Sequence, residues 1–144
     1  ILINELAKAF GSQCVTVGID SMQHNDQYIV YSKTGSVKTS FNTKILTKDW
    51  IMKVQELGAG EIVLNCMNQD GVKRGFDIKQ LNYMSDVINV PLIASGGAGK
   101  EKDFYNVLTN PKISGALAAS VFHNNEIQMT DLKNFLKQNN IHIR

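Results

Sequence analysis

The chain is poor in cysteine: of 144 residues only Cys14 and Cys66 are cysteines, and each falls within an apolar run. Disulfide-dependent secreted folds use cysteine far more densely, so the pattern predicts two buried thiols and a reducing, cytoplasmic setting. Proline is scarce too, with two residues, and 43% hydrophobic against 19% charged content excludes a disordered or fibrous chain. Charge of one sign is also missing. Fifteen basic against thirteen acidic side chains leave a net +2, and no basic face is interleaved with aromatics, so neither a nucleic-acid nor a membrane partner is expected. No apolar stretch approaches the about 18 residues that span a bilayer. Residues Ile1 to Glu5 have neither the basic start nor the cleavage site of a signal peptide. His24, His123 and His142 share no ligand spacing with Cys, Asp or Glu, which predicts no metal site, and nothing calls for a cofactor.

What is present is a repeat of short apolar runs and amphipathic segments, over a length suited to one domain. Cys14–Ile19, Glu61–Leu64, Pro91–Ala94 and Gly115–Ala119 are apolar without in/out alternation, as strands covered on both faces are. Amphipathic spacing predicts helices over 47–57, 77–88, 99–108 and 130–139, with Thr47 or Asp49, Asp77 and Thr130 as caps and Gly58 closing the first. Ile1, Leu2, Leu6, Ala9 and Phe10 fall near helical spacing with no residue ahead of them to cap the turn, so more chain is expected upstream. Residues 27–32 and 36–39 read as a hairpin excursion turning at Lys33-Thr34-Gly35, with Gly35 left-handed. Strands alternating with helices give a parallel α/β sheet. Half of a (βα)8 barrel and a small doubly wound open sheet both fit; periodicity does not separate them.

The strand ends carry the chemistry. The third run leads into Ser95-Gly96-Gly97-Ala98-Gly99-Lys100, whose glycines allow backbone N–H groups to face an anion above the next helix. Lys100 is followed by Glu101, so this is not a Walker loop, and a plain glycine-rich turn is the competing reading. Ser120 ends the fourth run, where it can serve as a helix cap or a second contact to the same phosphate. Asp20 closes the first run, suited to acid/base work in a barrel mouth or to a turn hydrogen bond. Asp70 lies in the glycine-flanked loop Asn68-Gln69-Asp70-Gly71-Val72-Lys73-Arg74-Gly75, readable as a substrate-covering loop or an ordinary turn. Glu61 begins the second run at the opposite rim.

Together, residues 10–20, 58–65, 68–77, Ala94–Lys100 and Ala118–His123 resemble strands five to eight of the cyclase subunit family of imidazole glycerol phosphate synthase. The resemblance runs the length of the chain. It implies that residues 1–144 are the C-terminal half of a (βα)8 TIM barrel, the N-terminal half being absent. It also implies a lyase of histidine biosynthesis that joins ammonia to a phosphorylated ribotide, the ammonia coming from a glutamine amidotransferase partner through the barrel. By position it makes Asp20 a catalytic aspartate and Asp70 an auxiliary one. Gly96, Gly97, Gly99 and Ser120 become phosphate contacts, Glu61 part of the ammonia gate, and Gln13 part of the partner-facing end. Where many relatives read Thr-Ser-Ile-Asp-Arg-Asp-Gly-Thr, this chain has Asn65-Cys66-Met67-Asn68-Gln69-Asp70-Gly71-Val72, so Asn68 brings no charge. A non-catalytic phosphate-binding half-barrel and the sister aminoaldose isomerase remain alternatives.

Overall fold

The computed structural model describes residues 2–143. A first helix, α1 (Leu2–Phe10), and a single 3-10 turn (Ser12–Cys14) lead into β1 (Thr16–His24). Strands β2 (Gln27–Ser32) and β3 (Phe41–Leu46) follow, then α2 (Thr47–Glu56), β4 (Glu61–Cys66) and α3 (Ile78–Ser85). The chain continues through β5 (Leu92–Ser95), α4 (Glu101–Leu108), β6 (Gly115–Leu117), α5 (Ser120–His123) and α6 (Met129–Gln138).

The sheet order β3-β2-β1-β4-β5-β6 settles the architecture. The parallel strands β1, β4, β5 and β6 lie side by side in chain order, with no reversal at a first strand. A doubly wound sheet needs such a reversal to place helices on both faces. Right-handed crossovers in strictly sequential order put every helix on one side, which is barrel winding. The fold is α/β, a (βα)4 half of a TIM barrel with outer helices and a hairpin excursion.

Burial follows from that winding. Ile19, Ile62, Leu64, Leu92 and Ala94 point to the helical side, where Ile51, Val54, Leu81, Met84, Phe104, Val107, Leu132 and Leu136 cover them. Phe76 meets Phe104 edge-to-face and Phe104 meets Phe122 at a tilt, with ring centroids 5.6 and 5.8 Å apart. The other face is only partly covered. In register across it run Thr16 and Glu61, then Gly18, Val63, Ile93 and Gly115, then Asp20, Asn65, Ser95 and Leu117. Side chains of alternate residues share a face, so these three rows form the concave inner surface.

Several elements depart from expectation. β1 does not stop at Asp20 but runs to His24, turns through Asn25-Asp26 with Asn25 at φ 53°, and pairs back with β2. The second arm of the excursion is Phe41–Leu46, and residues 36–39 form turns instead of strand. Lys33, at φ 55°, takes the left-handed conformation expected of Gly35. Cys14 is exposed, because the 3-10 turn lifts it off the sheet; only Cys66 is a buried thiol. Leu46 and Gln128 precede α2 and α6, so Thr47 and Thr130 lie inside their first turns, whereas Asp77 does cap α3, accepting from the Gln80 N–H at 2.9 Å. Gly58 (φ 103°) closes α2 as expected. The fourth strand is short, ending at Leu117.

Candidate active site at the C-terminal rim

Three parallel strands deliver polar side chains to the same level of the inner face. Asp20 pairs with Asn65, and Asn65 with Ser95. The Asn65 Nδ2 donates to Asp20 Oδ1 at 2.9 Å, and the Ser95 hydroxyl donates to Asn65 Oδ1 at 3.4 Å. From the other side, the Thr34 hydroxyl in the β2–β3 connection donates to Asp20 Oδ2. The half-buried Asp20 carboxylate therefore has a donor on each oxygen.

Beside this row lies a cleft of about 200 Å3 lined by Asn65, Asp70, Gly71, Ser95, Gly96, Gly97, Ala98 and the Leu117–Ser120 segment. The structure thus brings Gly96, Gly97, Ser120 and Asp70 together, with Asp20 one hydrogen bond away through Asn65. Among the described residues, the Gly97 and Ala98 N–H groups donate to no protein acceptor. Ser120 opens α5, where the Phe122 and His123 N–H groups donate to the Ala119 oxygen and those of Ser120 and Val121 donate to no protein acceptor among the described residues. The cleft is supplied with backbone donors suited to an anion.

Gly99 stands apart. It does not line the cleft, and its N–H donates to Asp103 Oδ2 at 2.9 Å, as does that of Lys100 at 3.0 Å. Asp103 caps α4 with its own carboxylate, which occupies the donors a phosphate would need there. The glycine is required for another reason: a Cβ at Gly99 would lie 2.4 Å from the Lys73 carbonyl oxygen. The same loop presses on Gly97, whose Cβ would meet the Gly75 oxygen at 2.2 Å. Residues 67–76 are fastened over the glycine turn by the Gly75 N–H to Gly97 oxygen bond (2.8 Å) and a Lys73–Glu126 ion pair. At the loop's other end Asn68 Oδ1 accepts from the Gln23 N–H at 2.7 Å.

The opposite rim holds the remaining candidates. Glu61 is half-buried at the foot of the inner face and accepts from the Thr16 hydroxyl at 3.1 Å. Gln13 is exposed on the turn before β1. Cys66 points to the helical side, and burial, with the Asp77 carboxylate second, pushes its thiol far above the ordinary range. That makes it a poor nucleophile. Among the described residues no group of three His, Cys, Asp or Glu side chains is placed to hold a metal, and no helix is long and apolar enough to cross a membrane.

Comparison with known proteins agrees with this architecture. The sequence profile described as histidine biosynthesis protein matches residues 1–128. The chain belongs to the histidine biosynthesis protein family. Among curated members of this family, it is 52% identical to imidazole glycerol phosphate synthase subunit HisF of Pseudoalteromonas translucida, over 99% of its length and 56% of that protein's. It is 53% identical to the subunit of the same name from Buchnera aphidicola and 51% to that of Vibrio cholerae, with the same coverage. The chain spans about half the length of the curated relatives it matches.

Sequence reasoning did not single out Asn65, Ser95 or Thr34. The first two carried a signal, since each apolar run ends on a polar residue at the position in register with Asp20. Thr34 carried none, because its approach depends on the path of the hairpin connection.

Proposed function

We propose that this histidine biosynthesis family chain forms strands five to eight, the C-terminal half, of the cyclase barrel of imidazole glycerol phosphate synthase. In that role it is half of a cytoplasmic lyase. The completed barrel takes ammonia from a glutamine amidotransferase subunit and a phosphoribulosyl formimino ribotide, and releases imidazole glycerol phosphate and aminoimidazole carboxamide ribotide. The observation that carries this reading is the convergence at one rim of the Asp20 carboxylate with the donor-lined cleft of Gly96, Gly97 and Ser120. The cleft holds a substrate phosphate on backbone N–H groups. Asp20 moves the protons that ring closure requires, and Asp70, on the cleft wall, assists. Glu61 at the foot of the inner face guards ammonia entry, and Gln13 faces the amidotransferase.

Half a barrel is an incomplete solution to its own sheet, which supports a complementary half. The Val15 and Ser21 carbonyls bond towards β4, so the N–H and C=O of Thr16 and Gly18 point the other way, below the stretch that β2 covers. β6 likewise has β5 on one side only. Exposed strand edges of this kind invite pairing.

The test is reconstitution. The chain, mixed with the N-terminal half of a full-length relative, turns over the ribotide with ammonium salts, and neither half does so alone. Asp20→Asn lowers the rate of the reconstituted barrel by about 10²-fold or more while leaving its circular dichroism unchanged. Turnover by the isolated chain, or near-normal rates with Asp20→Asn, overturns the assignment.

A further inference from the structure

The two side chains that grip Asp20 come from segments with no other shared business. Asn65 lies directly across on β4, while Thr34 belongs to the connection between β2 and β3, on the opposite side of β1. We propose that Thr34 and Asn65 are positioning residues: they clamp the Asp20 carboxylate in a single orientation for proton transfer, with Ser95 and Gly96 holding Asn65 in turn. The proposal rests on the reading of Asp20 given above.

Hydrogen-bond direction carries the argument. Asn65 can donate to a carboxylate only through Nδ2, so its Oδ1 must face away, where the Ser95 hydroxyl donates to it at 3.4 Å. Flipping the amide would set an oxygen against an oxygen at Asp20 and lose that contact, while the Ser95 hydroxyl, able to accept as well as donate, would not restore it. Gly96 leaves the room this needs. A Cβ there would lie 3.0 Å from Asn65 Oδ1 and 2.9 Å from the Cys66 carbonyl oxygen. The donors therefore run one way, from Ser95 to Asn65 to Asp20, and meet the donor from Thr34 on the other carboxylate oxygen. A carboxylate on a strand has two side-chain torsions, and bonds to both oxygens from opposite sides fix both.

Fixing them matters because proton transfer depends steeply on placement, and a displacement of about 1 Å costs about a hundredfold in rate. The substrate phosphate, by contrast, rests on backbone N–H groups of a cleft that Thr34 does not line, whereas Asn65 is part of its wall beside Gly96. Loss of the Thr34 jaw therefore falls on kcat, not KM. The hairpin excursion gains a purpose from the same contact: its connection supplies the second jaw.

Two measurements test this. In the reconstituted barrel, Asn65→Leu and Thr34→Val lower kcat by about ten- to a hundredfold, Thr34→Val with KM for the ribotide changed less than about threefold, and Thr34→Ser recovers most of the rate. Unchanged kcat in both variants of an active barrel overturns the clamp, as does Thr34→Ser behaving like Thr34→Val. The second measurement needs no activity. In the 15N spectrum of the chain alone, the Asn65 side-chain amide resonances shift on Asp20→Ala and stay in place on Asp70→Ala. Indifference to Asp20→Ala overturns the clamp even if the barrel turns over. An inactive unsubstituted barrel whose Asn65 amide responds to Asp20 removes the proposed function and leaves the clamp standing.

Discussion

At Gly97 the needs of the cleft and of the fold coincide. Its φ of 106° is left-handed territory that suits glycine, and the Gly75 oxygen stands 2.2 Å from where a Cβ would be. Backbone strain of about 1–3 kcal/mol and a comparable cost of overpacking both oppose a side chain there. Gly97→Ala should therefore destabilise the chain by roughly 2–5 kcal/mol, read as a lower urea midpoint at unchanged slope. A midpoint shift of under about 0.5 kcal/mol would show that the 67–76 loop yields easily, and that the glycine serves the cleft alone. The glycines of this turn were legible as a site for close approach, but what approaches them was not. Gly97 and Gly99 admit the neighbouring loop, and Gly99 spends its N–H on Asp103. A sequence shows that room has been made without showing for whom.

Elements with a clean period were readable and those with an interrupted one were not. The four parallel strands and four outer helices follow from apolar runs and helical spacing. The hairpin's second arm hides because Lys44, at φ 62°, breaks its alternation, and because pairing with β2 shifts register between Ile29 and Tyr31. The loop over residues 67–76 is tied down across the rim by Lys73 and Glu126, a link between β4–α3 and α5–α6 connections that no local pattern announces. That tie titrates. The Lys73 ammonium foremost, then the Asn124 side chain, hold the Glu126 carboxyl below its ordinary value of 4.5. A carboxyl lowered in the folded state binds fewer protons there than when released. Its contribution is complete above the ordinary value and is lost as pH falls through the lowered one. Hydrogen exchange of residues 70–75, corrected for intrinsic rates, should thus be flat from neutrality down to about the ordinary glutamate range and accelerate below it. Lys73→Met should show the fast exchange at neutral pH. Equal protection in wild type and Lys73→Met would mean that the Gly75–Gly97 bond holds the loop unaided.

For the whole molecule, the decisive facts are which edges of the sheet are bare and which backbone groups point at them. On β1, Val15 and Ser21 bond towards β4, so by alternation Val17 and Ile19 do as well, while Thr16 and Gly18 face outward. On β5 the Pro91 oxygen accepts from Ile62 of β4, so Leu92 and Ala94 face β6; with Ile93 in register with Gly115, the N–H groups of Gly115 and Leu117 face β5 while that of Ala116 faces outward. These two edges bound the concave row that holds Asp20, Asn65, Ser95 and Leu117, the last 45% exposed although it is apolar. If four further parallel strands complete the barrel, they pair with both edges and bury that row. Amide exchange then has an alternating signature. In the chain alone, Val17, Ile19, Gly115 and Leu117 are protected and Thr16, Gly18 and Ala116 exchange fast. Adding the N-terminal half of a relative should slow the second group by orders of magnitude and leave the first little changed. Protection of all these residues without alternation would indicate a partner that covers the surface without extending the sheet. Protection on one edge only would indicate an open sheet, in which the inner row and Asp20 stay in water and the ring-closing chemistry loses its enclosure.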